Sequence, residues 1–243
     1  MARRQMAHAT YSMKRFYKAA QAVAVDDGFE IRLDGKPVRT PGRASLRVAS
    51  RDLAAAIAAE WDAQAEKIDP HIMVLTGLAN AAVDRIAPDP PTFAAALAAY
   101  GESDLLCYRA ETPPALVKRQ DEAWRPLLDW ARRRFDVEFE VTSSIIHRPQ
   151  PPATIERLRK AVESRDAFAL AGLSPLITLS GSLVIALALA EDAIDVATAW
   201  EAATVDDRWQ AEKWGEDAEA TAALAGRLVQ FEGAARFLEL LGS

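Results

Sequence analysis

The sequence predicts an α+β fold, in which a small β-rich N-terminal domain with two helices precedes a mostly α-helical C-terminal domain. Three observations favour this class: apolar residues alternate with period two over 29–48, they follow helical spacing over most of the remainder, and prolines cluster in APDPPT at 87–92. We place the domain boundary at the proline cluster. The expected organisation is a flexible N-terminus over 1–13, an α+β domain over 14–90 and a helical domain over 91–243.

The strand pattern is clearest in FEIRL at 29–33, where apolar and charged side chains alternate. The Asp34-Gly35 pair that follows is typical of a hairpin turn, because glycine accepts the positive φ that a tight hairpin requires. Alternation resumes at Val38, and SLRV at 45–48 follows a second turn. These segments predict a meander of three short strands.

The period then changes to that of a helix. Ser50 is a suitable N-cap for a helix that carries Leu53, Ile57 and Trp61 at helical spacing. We interpret Trp61 as mainly structural, because it shares the predicted buried face of this helix. A second helix is expected from about residue 76 to residue 86.

The C-terminal part is predicted to be mostly helical. Helices are expected at 93–100 and 116–131, and Pro126 should kink or restart the second one. A strand-like alternation at 137–141 precedes four or five further helices. One of these is the apolar run at 173–192, which proline, glycine and serine interrupt and which we predict to be a buried helix, without membrane insertion.

Composition and spacing argue against several classes of function. The net charge of −6 argues against general nucleic-acid binding. Cys107 is the single cysteine, which leaves no internal disulfide and no cysteine-based zinc site, and its apolar neighbours favour packing. The three histidines, His8, His71 and His147, lack the spacing of a metal site. We therefore expect no metal and no cofactor.

Two segments that superficially suggest catalysis do not match catalytic motifs. Between Gly28 and Gly35 six residues intervene where a P-loop has four, and the residue after Lys36 is a proline. The LSGS segment at 179–182 lacks the form of a nucleophile elbow, and small residues that let two helices approach explain it. A small-molecule hydrolase or transferase with an inter-domain cleft stays open as the alternative function.

The segment VDDRWQAEKWGEDAEA places acids beside tryptophans. On one helix, Trp200, Asp207 and Trp214 are seven residues apart and would share a stripe, with Asp206 and Gln210 on the adjacent polar stripe. A carboxylate on an apolar stripe must meet an arginine or lysine, or lie on an exposed apolar and acidic patch. An amphipathic helix docked on the core and a partner-binding surface both fit this pattern. The divergence of neighbouring side chains by about 100° disfavours a two-carboxylate mechanism.

The order of several segments resembles the F1-ATPase assembly-chaperone family, from about Lys14 to Phe237. They include IRLDGKPVRTPGRASLRV, EWDAQAEKIDPHIMVLTGLANAAVD and WQAEKWGEDAEA. The resemblance implies a small β-containing domain followed by a helical domain. It also implies a non-enzymatic, nucleotide-independent chaperone that binds the unassembled F1 α subunit and shields its β-facing surface.

The resemblance further implies an acidic functional position in the terminal helical segment, which corresponds by register to Asp206. The predicted partner-binding residues are Asp206, Asp207, Gln210, Trp214 and Glu216. The tryptophans predicted to be structural are Trp61, Trp124 and Trp200. We expect a monomer in the bacterial cytoplasm, or in the mitochondrial matrix if the source is eukaryotic.

Overall fold

The computed structural model describes residues 13–144, 146–215 and 217–242. Within these ranges the strands are β1 (Ala20–Val25), β2 (Gly28–Leu33), β3 (Lys36–Pro37) and β4 (Arg47–Val48). The α-helices are α1 (Arg51–Asp62), α2 (Val74–Ala81), α3 (Pro90–Ala98), α4 (Pro114–Phe135), α5 (Pro152–Glu163), α6 (Ala167–Ser180), α7 (Leu183–Ala190), α8 (Val196–Ala203), α9 (Val205–Trp214) and α10 (Ala218–Gly242). A small sheet followed by many helices confirms the predicted α+β class.

The sheet is antiparallel, with β2 at its centre. β2 pairs with β1 along its length and with the short strands β3 and β4. The predicted Asp34-Gly35 turn joins β2 to β3, and both residues have positive φ, 47° and 82°. β1 was not predicted, because its AQAVAV segment varies too little in polarity to show period-two alternation.

The two helices of the N-terminal half begin at hydrogen-bonded caps. The Ser50 hydroxyl accepts a hydrogen bond from the Leu53 amide at 3.2 Å, which confirms the predicted cap of α1. The Glu60 carboxylate on α1 accepts from the amides of Leu75 and Thr76 at 2.8 Å each. α2 therefore starts two residues earlier than predicted, and it continues through a π-helical turn to Ile86.

Helices on both sides of residue 90 share one apolar core. α2 packs against α6 and α10, and α6 and α10 pack against each other. The contact between α6 and α10 is close: a Cβ on Gly172 would lie 2.5 Å from the Leu238 side chain, so a larger residue there would force that side chain to shift. No helix in the described part of the chain has the length and apolar character needed to cross a bilayer.

The predicted apolar helix is buried, but it is two helices, α6 and α7. Gly181, with φ of 70°, ends α6, and the Ser182 hydroxyl caps α7 by accepting from the Ile185 amide. Ser182 also donates to the fully buried Asp104 carboxylate at 2.7 Å, and the Val184 amide donates to the same carboxylate at 3.0 Å. The serine and glycine thus form a turn, which corrects their predicted role in close helix approach.

The strand predicted at 137–141 is wrong. Val137 and Phe139 are buried as an alternating pattern requires, but side chains replace a neighbouring strand as hydrogen-bond partners. The Thr154 hydroxyl bonds to the backbone of Glu138, and the Gln150 amide bonds to both backbone groups of Glu140. The segment is therefore extended without belonging to a sheet.

Two further expectations about the helices need correction. Of the kink or restart expected at Pro126, the restart does not occur, because α4 is a single helix over Pro114–Phe135. Six helices, α5 to α10, follow within the described ranges, where four or five were expected. The difference arises from the breaks at Gly181 and at Thr204.

Candidate functional site

The segment predicted to be one helix is divided at Thr204 into α8 and α9. The Thr204 hydroxyl donates to the Trp200 carbonyl at 2.7 Å, which offers the backbone a local alternative to helical bonding. Trp200 lies buried on α8, whereas Asp207 and Trp214 lie on α9. The predicted stripe through all three residues is therefore wrong.

α9 stands as a ridge on the surface. Only Val205 and Trp209 among its residues are buried. Trp214 at its end is 79% exposed, and tryptophan is enriched in protein-binding hot spots. We call four residues of this helix the α9 ridge: the half-buried Asp206 and the exposed Asp207, Gln210 and Trp214.

A groove of about 900 Å³ lies on one side of the ridge, between α9 and the start of α4. We call it the α4–α9 groove. Its apolar and aromatic lining includes Tyr108, Pro113, Leu116, Trp209 and Trp214. Asp206, Gln210 and Lys213 are the polar residues that line it on the α9 side. The predicted acidic position therefore opens onto an apolar groove.

Asp206 is held in place by a buried amide from α4. Gln120, which is 2% exposed, donates from Nε2 to Asp206 Oδ1 at 2.8 Å and accepts from the Ala110 amide at 2.8 Å. Asp206 Oδ2 makes no hydrogen bond with the residues that the structure describes. One carboxylate oxygen is thus fixed, and the other is available to a partner.

Trp209 anchors α9 between two cations. The guanidinium of Arg119 lies 5.1 Å from the indole centroid, and the Lys213 ammonium lies 4.7 Å from it. Arg119 also forms a bidentate pair with Glu212, at 2.7 Å and 2.9 Å. This pair lowers the pKa of Glu212 below its usual value. α9 is therefore tied to α4 by one aromatic side chain and surface charges.

Asp207 faces a different depression, of about 400 Å³, between α9 and α10. Its carboxylate lies 3.6 Å from the Arg227 guanidinium, so one of the predicted arginine or lysine contacts is present. Arg227 in turn lies over the Trp200 ring and donates to the Leu179 carbonyl. Because Asp206 and Asp207 open onto separate depressions, they do not form a carboxylate pair.

Of the remaining predicted residues, two tryptophans are buried and one is half-buried. Trp124 is buried and donates to the Ala202 carbonyl at 2.8 Å, and Trp200 packs against Phe231 at a centroid distance of 5.3 Å. Trp61 is half-buried in the N-terminal half, away from the α9 ridge. Glu216 lies outside the described residues.

The α4 side of the groove was not predicted from the sequence. Leu116, Gln120 and Trp124 share one helical stripe, and the glutamine is the polar residue on an otherwise apolar face. A buried amide requires hydrogen-bond partners, which was the available signal. The partner, Asp206, is 86 residues away in the chain, so the sequence alone did not connect them.

The cysteine and the histidine nearest this groove are buried or hydrogen-bonded. Burial raises the pKa of Cys107 to about 12, and the thiol is fully buried, as predicted. His147 bonds through Nδ1 to the Tyr108 hydroxyl at 2.9 Å, and His8 lies outside the described residues. Over 13–144, 146–215 and 217–242, no three His, Cys, Asp or Glu side chains are grouped to hold a metal ion.

Comparison with known proteins identifies the family. The profile described as "ATP12 chaperone protein" matches residues 14–132. The crystal structure of Atp12 from Paracoccus denitrificans is 42% identical, with a TM-score of 0.89, over 94% of this chain and 98% of that one. The chain belongs to the ATP12 chaperone family.

Two more solved structures support this membership. A variant of the Paracoccus protein in which one aspartate is replaced by lysine is 41% identical, with the same coverage and a TM-score of 0.89. A candidate chaperone from Agrobacterium tumefaciens is also 41% identical, with a TM-score of 0.90, over 94% of this chain and 86% of that one. Membership of the ATP12 family gives the chain a chaperone role.

Proposed function

We propose that this ATP12 family member is a nucleotide-independent chaperone that binds the unassembled F1-ATPase α subunit. It shields the β-facing surface of that subunit until assembly. Family membership supports the chaperone role, and the resemblance to F1-ATPase assembly chaperones supplies the partner. The observation that carries the site is Trp214, exposed at the end of a ridge beside an apolar groove.

The α9 ridge combines the features of a protein-binding hot spot. A large exposed aromatic side chain supplies contact area, and the neighbouring groove offers an apolar surface into which a client side chain fits. The free oxygen of Asp206 supplies a charged acceptor whose direction Gln120 fixes. Apolar contact with one oriented charge gives affinity together with a defined register.

Release follows from competition in this mechanism. The chaperone and the β subunit would cover the same surface of the α subunit, so the incoming subunit displaces the chaperone by mass action. No covalent step is required. We place this exchange in the bacterial cytoplasm and expect the free chaperone to be a monomer, which leaves the ridge open.

The proposal is tested by capture of separately produced F1 α subunit. Asp206→Lys reverses the charge and removes the acceptor of the Gln120 bond, so we expect recovery to fall about tenfold or more. Asp52→Lys is the control, because Asp52 is also an acid in the first turn of a helix, is exposed, and lines neither the α4–α9 groove nor the depression between α9 and α10. Both changes remove an acid from a helix N-terminus, and only the first alters the ridge.

Two results would contradict the proposal at different levels. Equal recovery by the wild type and Asp206→Lys would remove the site. Failure of the wild type to retain any α subunit would remove the function. Asp206→Asn separates the contribution of the charge from that of the hydrogen bond, because the amide oxygen still accepts from Gln120 while the charge is lost.

A further inference from the structure

A second groove, of about 700 Å³, lies in the N-terminal half between the sheet and α2. We call it the sheet groove. Its walls are mainly apolar and include Tyr17, Leu33, Val38, Trp61, Met73 and Asn80. None of its lining residues belongs to the α9 ridge or to the two depressions beside it.

Large apolar side chains are exposed at the sheet groove. Met13 and Phe16 line it and are 60% and 66% exposed, and Ile72, beside the lining residue Met73, is 61% exposed. The backbone that carries the first two is held in place, because the Ile68 amide donates to the Met13 carbonyl at 2.8 Å. An ordered backbone thus presents apolar surface to solvent here.

Two polar atoms in the groove wall lack partners. Trp61 Nε1, a donor, and Asn80 Oδ1, an acceptor, are both shut from solvent and make no hydrogen bond with the described residues. Leaving such an atom unpaired is unfavourable, and folded proteins contain few of them. One donor and one acceptor in the same wall match the N–H and C=O groups of a peptide backbone.

The charges at the sheet groove favour an anionic occupant. Lys36 and Arg39 line it, and Lys36 forms no ion pair with any described residue. The acidic lining residue is Asp34, whose carboxylate accepts hydrogen bonds from the backbone amides of Lys18 and Ala19. Those bonds hold the Asp34 carboxylate at the backbone. Arg39 donates from Nη1 to the Arg43 carbonyl at 3.0 Å, so the Lys36 ammonium is the charge at this groove that has no ion-pair partner among the described residues.

We infer that the sheet groove binds an extended, apolar segment of the client polypeptide that carries a carboxylate. This inference rests on the proposed chaperone function for the existence of a client. A peptide C=O accepts from Trp61 Nε1, a peptide N–H donates to Asn80 Oδ1, and the carboxylate lies near Lys36 and Arg39. Because neither unpaired atom contacts solvent, binding requires the groove wall to open at Trp61 and Asn80.

The test uses a synthetic peptide, acetyl-Gly-Val-Leu-Val-Asp-Gly-amide, and the indole N–H resonances of the full chain. The six tryptophans give six such resonances, and the Trp61→Phe variant assigns the one from Trp61. The peptide should shift the Trp61 resonance downfield, as a new hydrogen bond does, and leave those of Trp209 and Trp214 in place. A peptide with lysine in place of aspartate should bind about fivefold more weakly, because it meets Lys36 and Arg39.

Variants separate this groove from the α9 ridge. Trp61→Phe keeps an aromatic ring and removes the donor, so the labelled peptide should bind about fivefold to tenfold more weakly by fluorescence polarisation. The double variant Lys36→Gln with Arg39→Gln changes exposed side chains and should weaken binding about fivefold. Asp206→Asn, in the other groove, should leave peptide binding unchanged.

Three outcomes would overturn the inference. The Trp61 resonance stays fixed at saturating peptide, the lysine peptide binds equally well, or the resonance moves with protein concentration alone, which would place a second copy in the groove. The peptide test does not use the α subunit. If the peptide fails to bind, the proposed chaperone function is unaffected; if the α subunit is not captured, the peptide result can still be interpreted.

Discussion

α7 and α9 are two short helices of the same helical region with opposite relations to solvent. In α7, every residue over 183–189 is buried, and its N-terminal amides are closed by Ser182 and Asp104. In α9, Val205 and Trp209 alone are buried. α7 is enclosed by the core, whereas most of α9 faces solvent.

The difference shows how a helix is made available to a partner. α9 is attached through Trp209, the charge pair of Arg119 with Glu212, and the bond between Gln120 and Asp206. These three attachments lie on the side that faces α4, and on the other side Asp207 lies 3.6 Å from Arg227 of α10. The Trp214 ring is 79% exposed and is free to contact another molecule. Changes in α7 should therefore alter stability, and changes on the outer face of α9 should alter binding.

The largest expected effect concerns the buried thiol of Cys107. Burial raises the pKa of Cys107 to about 12, so at pH 8 its thiolate should be roughly a thousandfold rarer than in an unfolded chain. Because the folded state favours the neutral thiol, this contribution to stability is complete below about pH 8.5 and is lost as the pH rises toward 12. The rate at which a thiol reagent labels Cys107 at pH 8, with and without urea, measures the difference in thiolate population. Rapid labelling of the folded chain would contradict a closed core.

The next effect compares truncations in the two helices. Leu187→Ala in α7 should lower the free energy of unfolding by about 2–5 kcal/mol, because it leaves a cavity among fully buried neighbours. Trp214→Ala in α9 should change it by less than about 0.5 kcal/mol. Urea denaturation of both variants provides the measurement, and similar losses would remove the distinction between the helices.

Binding should reverse the order of these two variants. Trp214→Ala removes an exposed aromatic anchor and should weaken capture of the F1 α subunit by about 2 kcal/mol, roughly thirtyfold. Leu187→Ala, assayed at a temperature where it remains folded, should bind as the wild type does. If Leu187→Ala alone weakens capture, the partner does not contact the α9 ridge.

The smallest effect concerns the surface charge pair that ties α9 to α4. Glu212→Gln removes the carboxylate from the Arg119 pair and should lower thermal stability slightly at low salt. The difference from the wild type should disappear at about 1 M salt, where the Debye length is about 3 Å. A loss of stability that persists in high salt would assign the pair a packing role.

Local signals in the sequence predicted the elements whose causes are local. Ser50 at the start of α1 and the Asp34-Gly35 turn were identified because capping and turn chemistry involve neighbouring residues. The extended segment at 137–141 was misassigned because its hydrogen bonds come from Gln150 and Thr154 side chains, which periodicity does not reveal.

The residues of the candidate site were named from the sequence, but their arrangement in space was not predicted. The ridge residues were named from the sequence, but Thr204 divides the helix and moves Trp200 to the interior. The groove depends on Gln120 and Leu116 of α4, which meet α9 only through tertiary packing. Such pairing over long sequence separations has no local signature.

Amide hydrogen exchange with and without the F1 α subunit tests the central claim most directly. We predict that the subunit slows exchange over 205–214 in α9 and over 108–116 across the groove, and leaves exchange in α7 unchanged. Slower exchange elsewhere on the chain, with both of those segments unaffected, would contradict the account.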